Sequence, residues 1–282
     1  MKNVISASRR TDLVAFFPEW LSGVIEEGKA RIYGPARQVY TVDLQPEAVH
    51  TVVLWSKDFS SLIEDRAGLR KALTRYDQLY CLFTITGLGG SFIEREVPPP
   101  LSAFSQLPAL VEIVGSPQRI SLRFDPVIYW KEKGKLETNL CFFEKLAERA
   151  SRLGIKDIRF SFTQWYGKAL RRAAQKNFLY VDPSPEEKKA AALWLSKVAE
   201  RRQLNLFVCS QRFLSEVPGI RPSSCIDGRL LQGLHPQRAP VSLAKDKSQR
   251  PECECTESLD IGSYSQSCPH SCLYCYANPR MR

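Results

Sequence analysis

The sequence predicts an α/β fold on parallel strands, in the form of a partial or closed TIM-like (β/α) barrel. Short apolar, β-branched runs alternate with amphipathic segments of helical spacing through most of residues 1–209. This alternation is typical of parallel strands joined by right-handed helical crossovers. The 282 residues are enough for one barrel-type core or two smaller ones. We therefore expect an α/β barrel over residues 1–209 and a Cys-rich segment over residues 210–282, packed on the barrel mouth.

The predicted strands are compact runs rich in β-branched and aromatic residues, and the predicted helices lie between them. Strands are expected at 5–8, 38–44, 51–55, 79–86, 119–124, 157–162 and 204–209. Helices are expected at 18–28, 62–76, 101–114, 139–153, 164–178 and 185–203, with a short helix near 228–234. In a barrel the loops after the strands hold the ligands, so polar residues in those loops are the candidates for function.

Composition and charge favour a folded cytoplasmic protein with anionic partners. The chain is 44% hydrophobic and 25% charged, and it contains no apolar run that approaches the roughly 18 residues of a membrane span. Its first residues are too polar for a signal peptide. We therefore expect a cytoplasmic location without membrane contact. The net charge of +10 favours anionic substrates or nucleic acid, although an ordinary basic protein explains it equally well.

The cysteines indicate metal binding more than disulfides, because cytosolic thiols stay reduced. Three of the nine cysteines, Cys268, Cys272 and Cys275, have the spacing C-x3-C-x2-C. Three thiolates on such a short loop can each hold one iron of a [4Fe-4S] cluster and leave the fourth iron open to another ligand. Zinc is the alternative, with His270 as the nearby fourth ligand.

The terminal motif resembles the cluster loop of radical S-adenosylmethionine (radical SAM) enzymes, with aromatic Tyr274 before its last cysteine. The segment Cys-Pro-His-Ser-Cys-Leu-Tyr-Cys-Tyr-Ala is similar to the spore photoproduct lyase branch. With these cysteines near its end, the chain resembles an uncharacterised bacterial family, the domain of unknown function 1848, over nearly its whole length. The resemblance implies a [4Fe-4S] cluster on Cys268, Cys272 and Cys275, with S-adenosyl-L-methionine (SAM) on the open iron. It also implies a 5′-deoxyadenosyl radical and a reducing partner such as a flavodoxin or ferredoxin.

The position of the motif differs from the radical SAM pattern, in which the cluster loop follows the first barrel strand near the N-terminus. Here the motif follows residues 259–264. We expect these residues to form that first strand, moved to the end of the chain by circular permutation, which is easy where chain termini lie close together. The alternative is a barrel that has acquired an unrelated metal clip.

The resemblance also implies residues that bind SAM. Tyr274 occupies the place of the aromatic residue that packs against adenine. Gly89 and Gly90 are the nearest match to the glycine-glycine-acid motif that receives the SAM amino group, but Ser91 follows them instead of an acid. A simple tight turn is the alternative role for the two glycines.

Charged residues near the predicted strand ends complete the first set of candidates. Arg123 and Asp125 are expected to contact SAM or substrate, or else to form a buried ion pair at the barrel mouth. Arg9, Arg10 and Asp12 follow the first strand, where they bind an anionic substrate or cap the next helix. Lys57 and Glu94 stand in loops after later strands, and the sequence assigns them no role.

A second group of cysteines lies in the last third of the chain. Cys209, Cys225, Cys253 and Cys255 provide enough thiolates for a second, fully ligated [4Fe-4S] cluster that passes electrons to the first. A four-cysteine zinc site would use the same ligands.

The function expected from these features is that of a radical SAM-type enzyme that acts on an unidentified substrate, with a nucleic acid or nucleotide as one candidate. Two alternatives follow from the same residues. One is a non-catalytic iron–sulfur protein for electron transfer or redox sensing. The other is a zinc-stabilised nucleic-acid-binding protein.

Overall fold

A computed structural model describes residues 1–34, 38–277 and 279–281. Its strands are β1 (Asn3–Ala7), β2 (Lys29–Tyr33), β3 (Val39–Asp43), β4 (Val49–Ser56), β5 (Leu79–Thr84), β6 (Ile120–Val127), β7 (Tyr129–Glu132), β8 (Lys135–Thr138), β9 (Asp157–Phe162), β10 (Leu179–Val181), β11 (Asn205–Val208), β12 (Ile220–Pro222) and β13 (Leu259–Asp260). Its α-helices are α1 (Leu13–Phe16), α2 (Pro18–Glu27), α3 (Ser60–Ile63), α4 (Leu69–Leu73), α5 (Pro100–Val114), α6 (Phe142–Arg152), α7 (Gly167–Gln175), α8 (Pro185–Arg201) and α9 (Gly228–Leu234).

The main sheet has eight parallel strands in the order β12-β11-β9-β6-β5-β4-β1-β13. Its central strands β4 and β5 are buried at every residue, as parallel strands covered on both faces usually are. The predicted α/β class with parallel strands is therefore confirmed. Among the described residues no pairing joins the edge strands β12 and β13, so the hydrogen bonds form an open sheet and not a closed barrel.

The last strand of the chain lies beside the first. Leu259 and Asp260 of β13 pair in parallel with Ile5 and Ser6 of β1. The strand predicted at 259–264 is confirmed at its first two residues only. Apart from β13, the strands of the sheet follow one another in chain order from β1 to β12. The segment 210–282 therefore supplies both edge strands of the main sheet.

The two faces of the main sheet are covered by different parts of the chain. Val52 and Leu54 of β4 point into the larger apolar core, which the helices line. Val53 and Trp55 alternate with them and pack on the other face against buried residues that include Cys225. The covering segment runs from about residue 225 to residue 255 and contains α9. The Cys-rich region thus lies over one face of the sheet.

Two small sheets were not predicted. One is the antiparallel hairpin β2–β3, of which only the second strand was expected, and the other has the order β10-β7-β8. The strands β7, β8 and β10 are short and mostly exposed or half-buried, so their sequences do not show the apolar run of a buried strand. They lie outside the main sheet and leave its strand order unchanged.

The helix predicted at 62–76 is wrong as a single element. It divides into α3, a 3-10 turn at Arg66–Gly68, and α4. Asp65, Ala67 and Gly68 have positive φ angles of 56°, 51° and 68°, which end one helix before the next begins. The apolar spacing was misleading because both short helices turn their apolar side chains to the same core. The other predicted helices are confirmed within a few residues at each end.

Candidate metal centre

A cavity of about 250 Å³ opens at the carboxyl ends of the main-sheet strands. Because parallel strands end at one edge of a sheet, the residues that follow them meet there. The residues from strand ends that line the cavity include Ser8, Arg9, Arg10, Asp12, Lys57, Thr84, Arg123, Asp125, Gln164 and Cys209. The terminal loop adds Cys268, His270, Cys272, Tyr274, Cys275 and Tyr276. The structure therefore brings both predicted cysteine groups to one cavity, together with Arg123, Asp125 and Tyr274.

The terminal cysteine loop is joined by backbone contacts to the loop between β5 and α5. Leu273 N donates to Ile93 O at 3.0 Å, and Cys272 forms an isolated antiparallel bridge with Glu94. Arg280 N donates to Cys268 O at 2.8 Å and closes the loop on itself. These bonds hold the three thiols at the rim of the sheet.

Asp12 and His270 connect this loop to the ends of β1 and β4. Asp12 caps α1 through Ala15 N at 2.9 Å and accepts from Lys57 N at 2.9 Å. His270 Nε2 lies 2.8 Å from Asp12 Oδ2, and its Nδ1 lies 3.1 Å from the carbonyl oxygen of Glu96. Both ring nitrogens of the predicted zinc ligand are therefore engaged by oxygen atoms, and the imidazole acts as a brace between loop and sheet.

A buried ion pair of Lys57 and Glu94 lies beside the cysteine loop. Lys57 Nζ is 2.8 Å from Glu94 Oε1, and Thr86 Oγ1 donates to Glu94 Oε2 at 2.8 Å. Burial alone raises the pKa of Glu94, but the charge of Lys57 and the hydrogen bonds that Glu94 accepts outweigh burial and leave the pKa below its usual value. Burial lowers the pKa of Lys57, and Glu94 more than reverses this effect. Both side chains are therefore charged at neutral pH.

Tyr274 contacts this ion pair. Its hydroxyl donates to Glu94 and receives a hydrogen bond from Lys57 Nζ at 3.0 Å. The ring packs against an apolar group that includes Leu88 and Leu273. Tyr274, the residue predicted to bind adenine, also lines the cavity. Its hydroxyl group is already held by Glu94 and Lys57.

Gly89 and Gly90 form a turn, and the described cavity lining does not contain them. A Cβ atom on Gly89 would lie 1.9 Å from the carbonyl oxygen of Pro98, and Gly90 has a φ angle of +77°. Gly89 forms a parallel bridge with Glu94, and Gly90 N donates to Glu94 O at 3.1 Å. The turn therefore positions Glu94 beside the loop.

Arg123 and Asp125 are paired at the cavity wall, as one of the two sequence interpretations expected. The guanidinium groups of Arg123 and Arg9 lie over the ring of Trp55, at 5.0 and 5.3 Å from its centre. Within the described residues, Arg9 Nη2, Arg123 Nε and Trp55 Nε1 are buried and have no hydrogen-bond partner. Three buried donors at one wall therefore lack an acceptor, which indicates a place for an electron-rich ligand.

The four cysteines of the second group also line the cavity. Cys209 and Cys225 lie with their Sγ atoms 4.0 Å apart, and Cys255 Sγ accepts from Ile226 N at 3.4 Å. All nine cysteines of the chain are free thiols. Arg159 lies beneath this group, where it donates to the carbonyl oxygen of Ser224 at 3.1 Å. Its place was not predicted, because a lone arginine inside a strand carries no sequence signal.

Burial shifts the thiols of the terminal loop toward the neutral form. It raises the pKa of Cys268 to about 12, with the charge of Asp12 as a further cause, and it raises the pKa of Cys272 and Cys275. In the second group the pKa shifts differ in direction between the thiols. Hydrogen bonds from Cys209 and Cys255 lower the pKa of Cys225 well below its usual value. Metal binding at the terminal loop would therefore have to displace protons from all three thiols.

Within residues 1–34, 38–277 and 279–281, no three or more His, Cys, Asp or Glu side chains form a group that could hold a metal ion as they stand. What fits a metal centre is the chemistry of the donors: closely spaced thiols in a buried wall, with unpaired N–H donors beside them. Completion of such a centre requires rotation of cysteine side chains.

A model for the family described as a domain of unknown function (DUF1848) matches residues 4–277. The chain belongs to the DUF1848 family. No curated protein matches the chain. Across the part of this DUF1848 protein that the structure describes, none of the helices has the length and apolar character needed to cross a membrane.

The contacts that sequence analysis of this DUF1848 protein missed are those between distant residues. Lys57 and Glu94 were placed in loops after strands without a role, and the partner of His270 was not foreseen. The two residues of the His270–Asp12 pair are 258 positions apart. The pairing of β13 with β1 brings the segments that contain them to the same edge of the sheet.

Proposed function

We propose that this DUF1848 protein is a radical SAM-type enzyme with a [4Fe-4S] cluster on Cys268, Cys272 and Cys275 and with SAM as its second cofactor. The observation that carries the proposal is the position of the terminal cysteines. They line the same cavity as the polar residues that follow β1, β4, β9 and β11 and as Arg123 and Asp125 near the end of β6. A metal clip unrelated to the sheet would have no reason to lie at that edge.

The proposed fold is a circularly permuted partial (β/α) barrel. With β13 counted first, the strand order of the main sheet becomes strictly sequential from one edge to the other. Sequential parallel strands with helices on one face are the pattern of a (β/α) barrel. The cluster loop then follows the first strand of that order, as it does in radical SAM enzymes.

Several side chains of this protein would hold the cluster loop in place. Arg172 donates to the backbone carbonyl groups of Leu273 and Cys275. The Asp12–His270 pair and the Lys57–Glu94 pair fix the loop from two other sides. The cluster and SAM, when bound, would supply the radical chemistry that removes hydrogen from a substrate. The role of the protein is to orient the bound groups and to exclude water.

The substrate class that the cavity favours is anionic. Arg9, Arg10, Arg123 and Arg250 all contribute to its lining. The net charge of +10 would also attract anions from a distance. Tyr166 and Tyr276 lie at the wall with ring centres 6.4 Å apart and offer flat surfaces for a base. A nucleotide or nucleic acid therefore fits these walls, and a flavodoxin or ferredoxin would serve as the reducing partner.

Anaerobic reconstitution with iron and sulfide tests the proposal. The expected result is a brown protein whose reduced cluster signal in electron paramagnetic resonance shifts when SAM is added, with formation of 5′-deoxyadenosine. Cys272→Ala should abolish SAM cleavage, because it removes one of three ligands. Cys141→Ala is the matched control, since Cys141 is exposed and lies outside the cavity lining. SAM cleavage by the Cys272→Ala protein would contradict the assignment.

The same preparation separates the two alternative functions. A cluster signal that SAM does not shift, without 5′-deoxyadenosine, indicates an electron-transfer or redox-sensing protein. A colourless protein with stoichiometric zinc indicates a zinc-stabilised protein, and nucleic-acid binding would then be measured directly.

A further inference from the structure

We propose that Cys209, Cys225, Cys253 and Cys255 form a second metal centre with four thiolate ligands, which holds an iron–sulfur cluster or a zinc ion. The centre shares no ligand with the terminal loop. It therefore goes beyond the proposed function and does not depend on it.

Three separate segments deliver these thiols to one place. Cys209 directly follows β11, Cys225 precedes α9, and Cys253 and Cys255 come from the segment that ends before β13. The Sγ atoms of Cys209 and Cys225 are 4.0 Å apart. Two thiolates on one zinc ion at about 2.3 Å lie at roughly this separation when the coordination is tetrahedral. All four cysteines line the cavity wall, although they are separated by up to 46 residues in the chain.

The cysteines of this group are buried, so their proximity is not a chance meeting of surface side chains. Cys225, Cys253 and Cys255 are exposed by only 3%, 7% and 2%. They are packed under the sheet against Trp55 and its neighbours. Buried thiols do pack as small apolar groups. An apolar packing role, however, does not explain the arginines around them.

Three arginines surround the cysteine group: Arg159 is buried, and Arg9 and Arg123 are half-buried. Arg159 is 2% exposed, and its hydrogen bonds go to neutral oxygens of Ser121, Ser224 and Tyr80. Arg123 shares Asp125 with Ser161. Arg159, unlike Arg123, has no directly bonded anion among these partners, and burial of such a guanidinium is costly. Four thiolates around a metal carry net negative charge, which would offset the charge of these cations.

Unpaired hydrogen-bond donors give independent support. Arg9 Nη2, Arg123 Nε and Trp55 Nε1 are buried without an acceptor among the described residues. Thiolate and sulfide sulfurs accept hydrogen bonds from such groups, and these bonds tune the potential of a cluster. A metal centre at the four cysteines would therefore supply both the missing charge and the missing acceptors.

Metal content per chain, measured after anaerobic purification, tests this proposal. The variants are Cys225→Ser, Cys255→Ala, Cys272→Ala and the control Cys81→Ala, which removes a fully buried thiol that does not line the cavity and lies in the other apolar core. If the second centre is a cluster, Cys225→Ser and Cys255→Ala should each lose about four iron and four sulfide. If it is zinc, each should lose about one zinc ion and keep its iron. Circular dichroism confirms that the variants are folded.

The outcomes for the two centres are distinguishable. Cys272→Ala should keep the metal of the second centre. If Cys272→Ala loses metal while Cys225→Ser keeps the metal content of the parent protein, the metal belongs to the terminal loop alone. The second centre is overturned if folded Cys225→Ser and Cys255→Ala proteins both contain the same iron, sulfide and zinc as the parent protein. It is also overturned if the anaerobically isolated parent has a Cys209–Cys225 disulfide and binds no metal at these residues.

Discussion

At the scale of single residues, the buried Lys57–Glu94 ion pair shows how one substitution can destabilise the site. The Glu94 side chain is 1% exposed and that of Lys57 is 15% exposed. Opposite charges in such a place are stable only while both are present, because the loss of one leaves the other without a partner in a poorly solvated position. The pair therefore makes the position of the terminal loop sensitive to a change at either residue.

Glu94→Gln should lower the free energy of unfolding by about 3–5 kcal/mol, because it leaves the Lys57 ammonium buried without a counter-charge. Denaturant unfolding monitored by tryptophan fluorescence measures the change. The matched control is Glu216→Gln, whose partner Lys189 is 43% exposed. That substitution should cost at most about 1 kcal/mol. Equal effects of the two substitutions would show that the Lys57–Glu94 pair is not held as the structure describes.

Gly89→Ala should be destabilising by about 1–3 kcal/mol, because the new methyl group meets the carbonyl oxygen of Pro98 at 1.9 Å. The control is Gly23→Ala on the exposed side of α2, where nothing lies within 4 Å of the added carbon. Removal of a helical glycine there should stabilise the protein by up to about 1 kcal/mol. Thermal unfolding of both variants gives the comparison, and an unchanged melting temperature for Gly89→Ala would contradict a tight turn.

At the residue scale, the sequence predicted those site residues whose signal is local. The spacing of Cys268, Cys272 and Cys275 is visible within eight residues. The partners of His270 and Lys57 are 258 and 37 positions away, and no local pattern indicates which side chains will meet at such separations. Their contacts follow from the order of strands in the sheet and from the backbone bonds between the two loops.

At the scale of elements, β13 is joined to β1 by side chains as well as by its two-residue ladder. Asp260 accepts from Ser6 Oγ at 2.9 Å, from Ser8 Oγ at 2.9 Å and from Arg9 N at 2.8 Å. It also accepts from Gly262 N at 2.9 Å. One carboxylate thus satisfies four donors and compensates for the shortness of the strand.

Asp260→Asn should loosen the terminal loop, because an amide group presents only one acceptor oxygen to these four donors. The expected loss is about 1–3 kcal/mol, concentrated in the last 25 residues. Hydrogen–deuterium exchange should become faster in peptides from 258 to 276 and remain unchanged in α8. Asp182→Asn, at a carboxyl group that is 57% exposed, is the control. Unchanged exchange at 258–276 would mean that other contacts hold the loop.

The start of β4 carries a buried histidine that should make stability depend on pH. His50 is fully buried, and its Nε2 lies 2.8 Å from the carbonyl oxygen of Ala239. Burial lowers its pKa below the ordinary 6.5, and the neighbouring His235 lowers it further. As the pH falls below 6.5, the unfolded chain takes up a proton that the folded chain resists, so the free energy of unfolding falls.

His50→Gln should therefore reduce the loss of stability between pH 7 and pH 5.5 while it leaves an amide group able to donate to Ala239 O. Denaturant unfolding at several pH values measures the slope for both proteins. The two curves should differ in slope below pH 6.5 and run parallel between pH 7.5 and pH 8.5. A slope unchanged by the substitution would assign the pH dependence to other groups.

At the element scale, prediction succeeded where a strand or helix makes its own pattern. The buried strands β4 and β5 and the helices α2, α5 and α8 lie close to their predicted positions. The helix at 62–76 failed because an apolar spacing of helical period does not exclude a break, and Asp65 and Ala67 with positive φ were not foreseen. The strands β7, β8 and β10 form by pairing with one another, and their own sequences carry no strand pattern.

For the whole molecule, the order of the parallel strands determines which segments meet at the cavity. Strand β13 lies beside β1, and the segment before it covers one face of the sheet. The sequence predicted the place of β13 through its resemblance to a known cluster loop, but not the covering of the sheet by residues 225–255. That covering arises from scattered apolar side chains without a regular period.

The order of strands implies that the chain can be rejoined in a second way. A permuted chain would begin at Ser258, run to residue 282, continue through a flexible linker of about 20 residues to Met1 and end at Glu257, which keeps every strand neighbour. It should give the same circular dichroism, the same metal content and a melting temperature within a few degrees of the parent. The control is a chain that ends at Glu257 without the transferred residues. This chain lacks β13 and the three terminal cysteines, so it should melt earlier and bind less metal. A permuted chain that behaves like the shortened one would mean that β13 reaches its place only when it is made last, and the proposed relation to barrels with an N-terminal cluster strand would lose its structural basis.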